Sequence, residues 1–218
     1  MTKEEVDLLL RLISEGNDEL YRELKEVVER EAVSHPGTHA GHGYVDMGLS
    51  VKWATCNVGA DSPGDYGNYY AWGETETKSS YAKDNCETYD KQIDDIGGTS
   101  RDVAHAKWGG GWRMPTRAEL EELSDEDNCT WEWTTQDGHK GYKVRSKKTG
   151  NSIFLPAAGG WEGRWLNYDG GNGYYWSSTP GEGSPWCAMN LSVISSSNHH
   201  MYGSLRYHGL TVRPVGEF

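Results

Sequence analysis

The chain has 218 residues, and 21 basic against 33 acidic side chains give a formal net charge of −12. This acidic balance argues against a protein that binds nucleic acid through its phosphates. No apolar run approaches the roughly 20 residues that a membrane-spanning helix needs, so we expect no membrane insertion.

The first segment, residues 1–33, predicts a helix that self-associates as a coiled coil. Thr2 and Glu5 form a T-x-x-E capping box, which is typical of a helix start. The heptad positions are Leu10, Asn17 and Leu24 at a, and Val6, Ile13, Leu20 and Val27 at d. Leu at a with mostly β-branched d residues favours a trimer or tetramer. The alternative is a single amphipathic helix that lies on its own domain.

Residues 34–42 are predicted to be a linker, because Pro36 and Gly37 break the helical pattern. His35, His39 and His42 lie in this stretch without an acidic or cysteine neighbour. We therefore expect no metal site there.

The rest of the chain, residues 43–218, predicts one α+β domain with short strands, one to two helices and long irregular loops. Thr116 and Glu119 form a second capping box at the clearest internal helix. Asp137-Gly138 between two alternating runs predicts a hairpin. Residues 78–100 are polar and are interpreted as an inserted loop with one helical turn, and residues 210–215 as a final strand.

Residues 161–208 have the composition of an antibody paratope. Only five of these 48 residues are charged, Lys and Gln are absent, and four Trp and five Tyr are present. Tyr and Trp supply rigid contact area, while Ser, Gly and Asn supply adaptable hydrogen bonds. This pattern favours a ligand-binding surface over a disordered Gly/Ser-rich loop, because so many aromatic side chains require burial or a partner.

Six motifs occur in order through about 170 residues. They are GYVDMGLSVKWATCNVGA at 43–60, YAWGE at 70–74, WRMPT at 112–116, FLPAAG at 154–159, YWSSTP at 175–180 and GLTVRPV at 209–215. In these motifs the chain resembles the major paralogous domain family named after Fibrobacter succinogenes. The resemblance implies a C-type lectin-like fold of the formylglycine-generating-enzyme type. Many members of that family are variable proteins of diversity-generating retroelements, in which template adenines are copied erroneously into the C-terminal coding segment.

The resemblance implies a fixed frame at residues 154–159, 175–180 and 209–215. The variable region, at about 160–208, consists of the stretches between these segments, 160–174 and 181–208. Mutated AAY codons cannot encode Lys or Gln, in agreement with the composition, but they cannot encode Trp, Glu or Met either. The predicted ligand-binding residues are Trp161, Trp165, Asn167, Tyr168, Tyr174, Trp186, Asn190, Ser192, His199, His200, Tyr202, Ser204, Leu205, Tyr207 and His208.

The sequence contains no constellation that predicts catalysis. GxSxG, HExxH and P-loop motifs are absent, and Ser80-Tyr-Ala-Lys83 matches S-x-x-K without its companion motifs. The related formylglycine-generating enzymes use a cysteine pair, whereas only Cys187 lies in the C-terminal region. The calcium-binding lectin triplets EPN, QPD and WND are also absent, and adjacent His199 and His200 should point to opposite faces of a strand. We expect no enzyme activity, no cofactor and no metal.

Three functions remain open at this stage. The first is a hypervariable protein of a phage virion or of a bacterial cell surface. Its ligand would be a protein or glycan on a cell surface. No basic and then apolar start marks a secretory signal in this sequence. The second is a fixed carbohydrate-binding lectin with Trp161, Trp165 and Trp186 as aromatic platforms. The third is an enzyme of the formylglycine-generating type that depends on Cys187.

Overall fold

Four small antiparallel sheets and two short helices build residues 36–195 and 198–218, the part of the chain that the computed structural model describes. The α+β class predicted from the sequence is confirmed at this level. The coiled-coil helix predicted over residues 1–33 lies outside the described residues. Residues 36–218 belong to a single compact unit.

The first sheet joins the beginning of this unit to its end. Its strands, in the spatial order β1–β2–β3–β12, are Gly37–His39, His42–Val45, Lys52–Ala54 and Val215–Gly216. The prediction of a linker over 34–42 is therefore wrong for its described part, which forms a hairpin. Ring stacking holds the hairpin in place: the His39 ring lies 3.8 Å from Phe218 and the His42 ring 3.7 Å from Trp108. The sequence pattern around Pro36 and Gly37 carried no sign of these distant partners.

The second sheet contains the predicted hairpin. Its strands, in the order β4–β5–β6, are Cys129–Gln136, His139–Ser146 and Ser152–Pro156. Asp137 and Gly138 connect β4 to β5 with φ angles of 51° and 82°, the left-handed backbone that this type of two-residue turn requires. The hairpin prediction is confirmed.

The two helices are both capped by side chains. Helix α1, Val103–Trp108, follows Asp102, whose carboxylate accepts hydrogen bonds from two backbone N–H groups of its first turn. Helix α2, Arg117–Ser124, begins after Thr116. The Thr116 hydroxyl accepts from the Glu119 N–H at 3.2 Å, and the Glu119 carboxylate accepts from the Thr116 N–H at 2.7 Å. The second capping box is thus confirmed.

The remaining strands lie between residues 160 and 205. They are β7 Gly160–Glu162 and β8 Trp165–Asn167, which pair with each other, and the three strands β9 Asn172–Pro180, β10 Cys187–Ile194 and β11 Asn198–Leu205, in the order β11–β10–β9. Before them, the predicted loop at 78–100 contains one 3-10 turn, Lys83–Asn85.

The predicted strand over 210–215 is present only in part. Leu210 forms an isolated bridge with Tyr70, Thr211 forms another with Tyr175, and only Val215–Gly216 belongs to a sheet. The chain is extended here, but it passes from one partner to the next instead of following a single strand. Its residues are nevertheless buried throughout.

Large aromatic side chains fill the core. Four of the six motifs that carry the family resemblance each contribute one tryptophan with no exposed surface, namely Trp53, Trp72, Trp112 and Trp176. Trp72 and Trp176 donate their ring N–H groups to the backbone oxygens of Ser177 and Tyr70 at 2.9 Å and 2.8 Å. Such a bond satisfies the polar end of a buried indole.

A buried arginine ties the last motif to the first. Arg213 has no exposed surface, and its guanidinium donates to the Asn57 side chain and to the backbone oxygens of Ala54, Thr55 and Phe154 at 2.8–3.1 Å. Burial lowers the pKa of Arg213. Carbonyl and amide oxygens, rather than a carboxylate, hold this cation among motifs that are distant in sequence.

Candidate ligand-binding face

The three-stranded sheet β9–β10–β11 has two different sides. Residues directly opposite each other in antiparallel strands share a side of the sheet. On one side, Leu191 of β10 pairs with Tyr175 of β9, and both are buried in the core. On the other side, Ser192 of β10 lies between Tyr174 of β9 and His200 of β11. The second side holds most of the predicted binding residues on these strands.

The edge strand β11 exposes its side chains on this second side, whereas the central strand β10 does not. Tyr202 is 59% exposed, and its ring meets the His200 ring edge-on at 6.4 Å. Ser204 is half-buried on the same side of β11. A position on an edge strand is covered by only one neighbouring strand, which leaves these side chains accessible.

Two predicted binding residues are buried and require a correction. Asn190 has no exposed surface and Ser192 is 4% exposed, because both lie on the central strand. The Asn190 amide donates to the Tyr202 backbone oxygen at 3.0 Å and to the Ser204 hydroxyl at 2.8 Å. Asn190 therefore fixes the edge strand that carries the exposed residues, and neither side chain can contact a ligand in this structure.

His199 is also separated from the other predicted residues. Its ring stacks on Trp131 at 4.2 Å, and its Nε2 lies 3.0 Å from the Ser124 backbone oxygen. These partners lie on the core side of the sheet, opposite to His200, as the alternation of a strand requires. Leu205 alternates onto the same side as His199 and is half-buried.

The hairpin β7–β8 presents the most exposed aromatic residue of this region. Trp165 is 76% exposed, and Tyr168, just after the hairpin, is 68% exposed. Asn167 is half-buried. Gly159 precedes the hairpin with a φ of 63°, and a Cβ atom there would lie 2.3 Å from the Asn167 backbone oxygen. Glycine at this frame position therefore permits the close approach of the hairpin.

Trp161 connects the hairpin to its surroundings. Its backbone N–H and oxygen exchange hydrogen bonds of 2.9 Å and 3.0 Å with Gly209 of the frame. Its half-buried ring lies 6.2 Å from Tyr69 and 6.4 Å from Tyr81. Tyr81 in turn exchanges two backbone hydrogen bonds with Gly163. The polar loop at 78–100 thus borders the hairpin.

A third group of predicted residues follows strand β11. The half-buried Tyr207 ring lies 4.9 Å from His208 and 5.6 Å from Tyr89. Lys83 lies above the Tyr89 ring, at 5.0 Å from its centre. Sequence reasoning missed Tyr89 and Lys83 as neighbours of the face. Their only sequence signal is an aromatic residue in a polar loop, which does not identify a distant partner.

His208 is a titratable residue at the margin of this group. Its Nε2 is buried without a hydrogen-bond partner among the described residues and lies 4.0 Å from the Glu162 carboxylate. Burial lowers the pKa of His208, and Glu162 raises it by a smaller amount. Burial also raises the pKa of Tyr207, and Glu162 adds to that increase. His208 is therefore held mainly in its neutral form near neutral pH.

Trp186 lies in the loop between β9 and β10 and is 45% exposed. Its backbone oxygen accepts a hydrogen bond from the N–H of Arg206 at 2.9 Å. Arg206 itself is 1% exposed, and its guanidinium lies 4.3 Å from the centre of the Trp72 ring. It donates to the backbone oxygens of Cys187, Thr88 and Lys91 at 2.8–3.1 Å. Although Arg206 lies in the predicted variable region, it supports the domain from within.

The residues that remain accessible define what we call the aromatic face. Its members are Trp161, Trp165, Asn167, Tyr168, Tyr174, Trp186, His200, Tyr202, Ser204, Tyr207 and His208. Tyr174 lies between the sheet and the hairpin, because its ring is within 3.4 Å of the position of a Cβ atom on Gly160. The face offers aromatic rings, amides and hydroxyls, with very few charged groups.

Within the described residues, no group of three or more His, Cys, Asp or Glu side chains is placed to hold a metal ion. The four cysteines are free thiols. In that same part of the chain no helix is both long and apolar enough to cross a bilayer. Comparisons with models of protein families, with curated proteins and with solved structures find no match for the chain.

Proposed function

We propose that this chain is a ligand-binding protein that displays diversified side chains on a C-type lectin-like scaffold. One observation carries the proposal. Trp165, Tyr168, Trp186 and Tyr202, the four exposed large hydrophobic residues of the described chain, all lie in the predicted variable region. Exposed, rigid aromatic side chains are typical of a binding surface.

The burial of the proposed frame residues supports this division between fixed and variable positions. Residues 154–159 and 209–215 are buried throughout, and Tyr175–Ser178 are buried within the third frame segment. The fully buried tryptophans of four motifs give a physical reason for fixed sequence in a family of this kind, because truncation of a core tryptophan typically costs about 3–5 kcal/mol. The resemblance to variable proteins of diversity-generating retroelements rests on these motifs.

The proposal is for binding and not for catalysis. Glu162 and His208 form an acid–base pair at the margin of the face, but the His208 Nε2 is buried and cannot reach a substrate. The groups that are accessible are rings, amides and hydroxyls, which recognise a protein or glycan surface by contact area and hydrogen bonds. We therefore propose that this chain is a phage or bacterial surface protein. It would bind a protein or glycan ligand on a cell surface, without a metal or cofactor.

A display experiment tests whether the aromatic face accepts new specificities. A library of the whole chain is randomised at Trp165, Tyr168, Trp186, His200 and Tyr202 and selected against an unrelated protein such as lysozyme. We expect lysozyme binders whose melting temperatures stay close to that of the parent chain, because these side chains contribute little to the core.

The matched control library varies five exposed positions elsewhere, at Glu132, Thr135, Lys140, Lys143 and Lys148. We expect few binders from it. An equal yield from both libraries, or binders from the first library that no longer fold, would contradict the assignment of the face. Loss of natural ligand binding in EDTA would also contradict it.

The genomic neighbourhood tests the diversification itself. The proposal requires a reverse transcriptase gene nearby and an adenine-rich near-repeat of the 3′ coding segment. Without them, the exposed Trp165 and Trp186 favour the second function, a fixed lectin that stacks sugar rings on these indoles. A glycan array on which the variants Trp165→Ala and Trp186→Ala lose binding would identify that function. Catalytic turnover abolished by Cys187→Ala would instead identify the enzyme.

We further propose that residues 2–33 join three or four copies of the chain. Several weak sites joined in this way raise the apparent affinity by about 10²–10⁴ when the ligands can be engaged together. Light scattering should give a trimer or tetramer for the whole chain and a monomer for a chain that begins at Pro36. A monomeric whole chain at micromolar concentration would remove this part of the proposal.

A further inference from the structure

A concave site lies on the side of the β9–β10–β11 sheet opposite to the aromatic face. It is a groove of about 320 Å³ between β4, β5 and the start of β11. Its lining includes the rings of Trp131, Trp133, Tyr142 and His199 and the charged groups of Glu126 and Lys147. This volume is at the lower end of the range for small-molecule sites.

Strand geometry fixes the ring arrangement. Trp131 and Trp133 are two residues apart on β4, and Tyr142 on β5 is directly opposite Trp133, so all three rings share one side of the sheet. The Tyr142 ring meets Trp131 at 5.5 Å and 68°, and Trp133 at 4.9 Å and 71°. His199 stacks on Trp131 at 4.2 Å.

The three aromatic side chains differ in their accessibility. Tyr142 is 3% exposed, and its hydroxyl donates to the Ile194 backbone oxygen at 2.8 Å, so its ring forms a fixed floor. Trp131 and Trp133 are half-buried and form walls. His199 covers one face of Trp131. The ring faces that remain uncovered carry partial negative charge, which attracts a cation within about 6 Å of the ring centre.

The charges around the groove also favour a cation. Glu126 lies on its rim, and Glu122 and Asp125 are close enough to affect the Cys129 thiol in its floor. Burial raises the pKa of Cys129 to about 11, Glu122 and Asp125 contribute to this increase, and Lys147 opposes them by a smaller amount. The acidic groups therefore outweigh the lysine at this position.

We propose that this groove binds a small organic ammonium ion whose charge is spread over methyl groups, such as the trimethylammonium group of choline. Aromatic walls suit such an ion because its methyl groups bury apolar surface while its charge is attracted to the rings. A bare metal ion would need several oxygen ligands, which the rings cannot supply. The lining residues other than His199 precede residue 160, so the site is separate from the aromatic face and does not depend on the proposed function.

Calorimetric titration of the whole chain with choline chloride tests the proposal against a neutral probe of the same shape, 3,3-dimethylbutan-1-ol. We expect choline to bind with a dissociation constant below about 10 mM and the neutral probe to bind about tenfold or more weakly, because it lacks the attraction between charge and ring. Equal affinity of the two probes, or no heat with choline at about 10 mM, would overturn the proposal.

Variants locate the site. Trp133→Leu should weaken choline binding about tenfold, and Glu126→Gln about threefold. The matched controls outside the groove lining, Trp165→Leu in the hairpin β7–β8 and Glu182→Gln in the loop between β9 and β10, should leave choline binding unchanged. Equal losses in the controls would place the binding elsewhere and contradict the proposal. If a thermal melt shows that Trp133→Leu does not fold, two measurements still test the proposal. They are choline binding by Glu126→Gln, a change at an exposed position, and the comparison of choline with the neutral probe.

Discussion

Trp165 and Trp176 lie in successive strands and have opposite environments. Trp176 has no exposed surface and donates its ring N–H to the Tyr70 backbone oxygen at 2.8 Å. Trp165 is 76% exposed. The frame uses aromatic residues to hold the sheets together, and the aromatic face presents the same residue type to solvent. The comparison shows that composition alone does not distinguish the two regions, whereas the motif around each residue does.

The largest expected effect comes from the same substitution at these two positions. Trp176→Ala removes a core side chain and one of the two hydrogen bonds to the Tyr70 oxygen, so it should lower the free energy of unfolding by about 3–5 kcal/mol. Trp165→Ala should lower it by less than about 0.5 kcal/mol. Urea denaturation followed by circular dichroism measures both. Similar losses for the two variants would mean that Trp165 is packed against the domain in solution.

A second pair of variants tests Arg206, which is buried although it lies in the predicted variable region. Arg206 is buried and donates to three backbone oxygens, whereas Arg164 is exposed. Arg206→Met removes these three hydrogen bonds and leaves the Lys91 oxygen without this donor, so it should cost about 3 kcal/mol of unfolding free energy. Arg164→Met should cost less than about 0.5 kcal/mol. A stable Arg206→Met variant would return this position to the set that can be diversified.

The sequence predicted those features whose cause is local. The capping box at Thr116 and Glu119 and the Asp137-Gly138 turn depend on residues within four positions of each other, and both predictions are confirmed. Trp176, inside the frame segment 175–180 that the resemblance implies, has no exposed surface.

The predictions that failed depend on distant partners. Asn190 and Ser192 share the composition of the variable region, but their central strand is flanked by β9 and β11, so both are buried. Arg206 is fixed by carbonyl groups of the 78–100 loop, more than a hundred residues earlier. Composition averages over such positions, and no short-range pattern separates them from Trp165 or Tyr202.

The hairpin that begins the unit offers a third test, because it was interpreted as a linker. A chain that begins at Gly43 loses the stacked His39 and His42 rings and the hydrogen bond of 3.1 Å from the Trp112 ring N–H to the His39 oxygen. It should therefore be about 2 kcal/mol less stable than a chain that begins at Pro36. Equal unfolding midpoints in urea would support the linker interpretation instead.

The smallest expected effect is a pH dependence of stability that comes from His208, at the margin between the frame and the aromatic face. Burial holds the pKa of His208 below its ordinary value of 6.5, so the unfolded chain binds a proton more readily than the folded chain does. The stabilising contribution of neutral His208 is present above pH 6.5 and is lost as the pH falls below it. Burial also lowers the pKa of His42, which gives a loss of the same sign.

Melting temperatures measured at pH 7.5 and at pH 5 should therefore fall on acidification. The variant His208→Gln should show a smaller fall, because it removes the contribution of His208 and leaves that of His42. His200→Gln is the matched control: His200 is exposed on β11, and its removal should leave the fall unchanged. If His208→Gln and His200→Gln had the same effect, His208 would be as accessible as His200 and would belong wholly to the aromatic face.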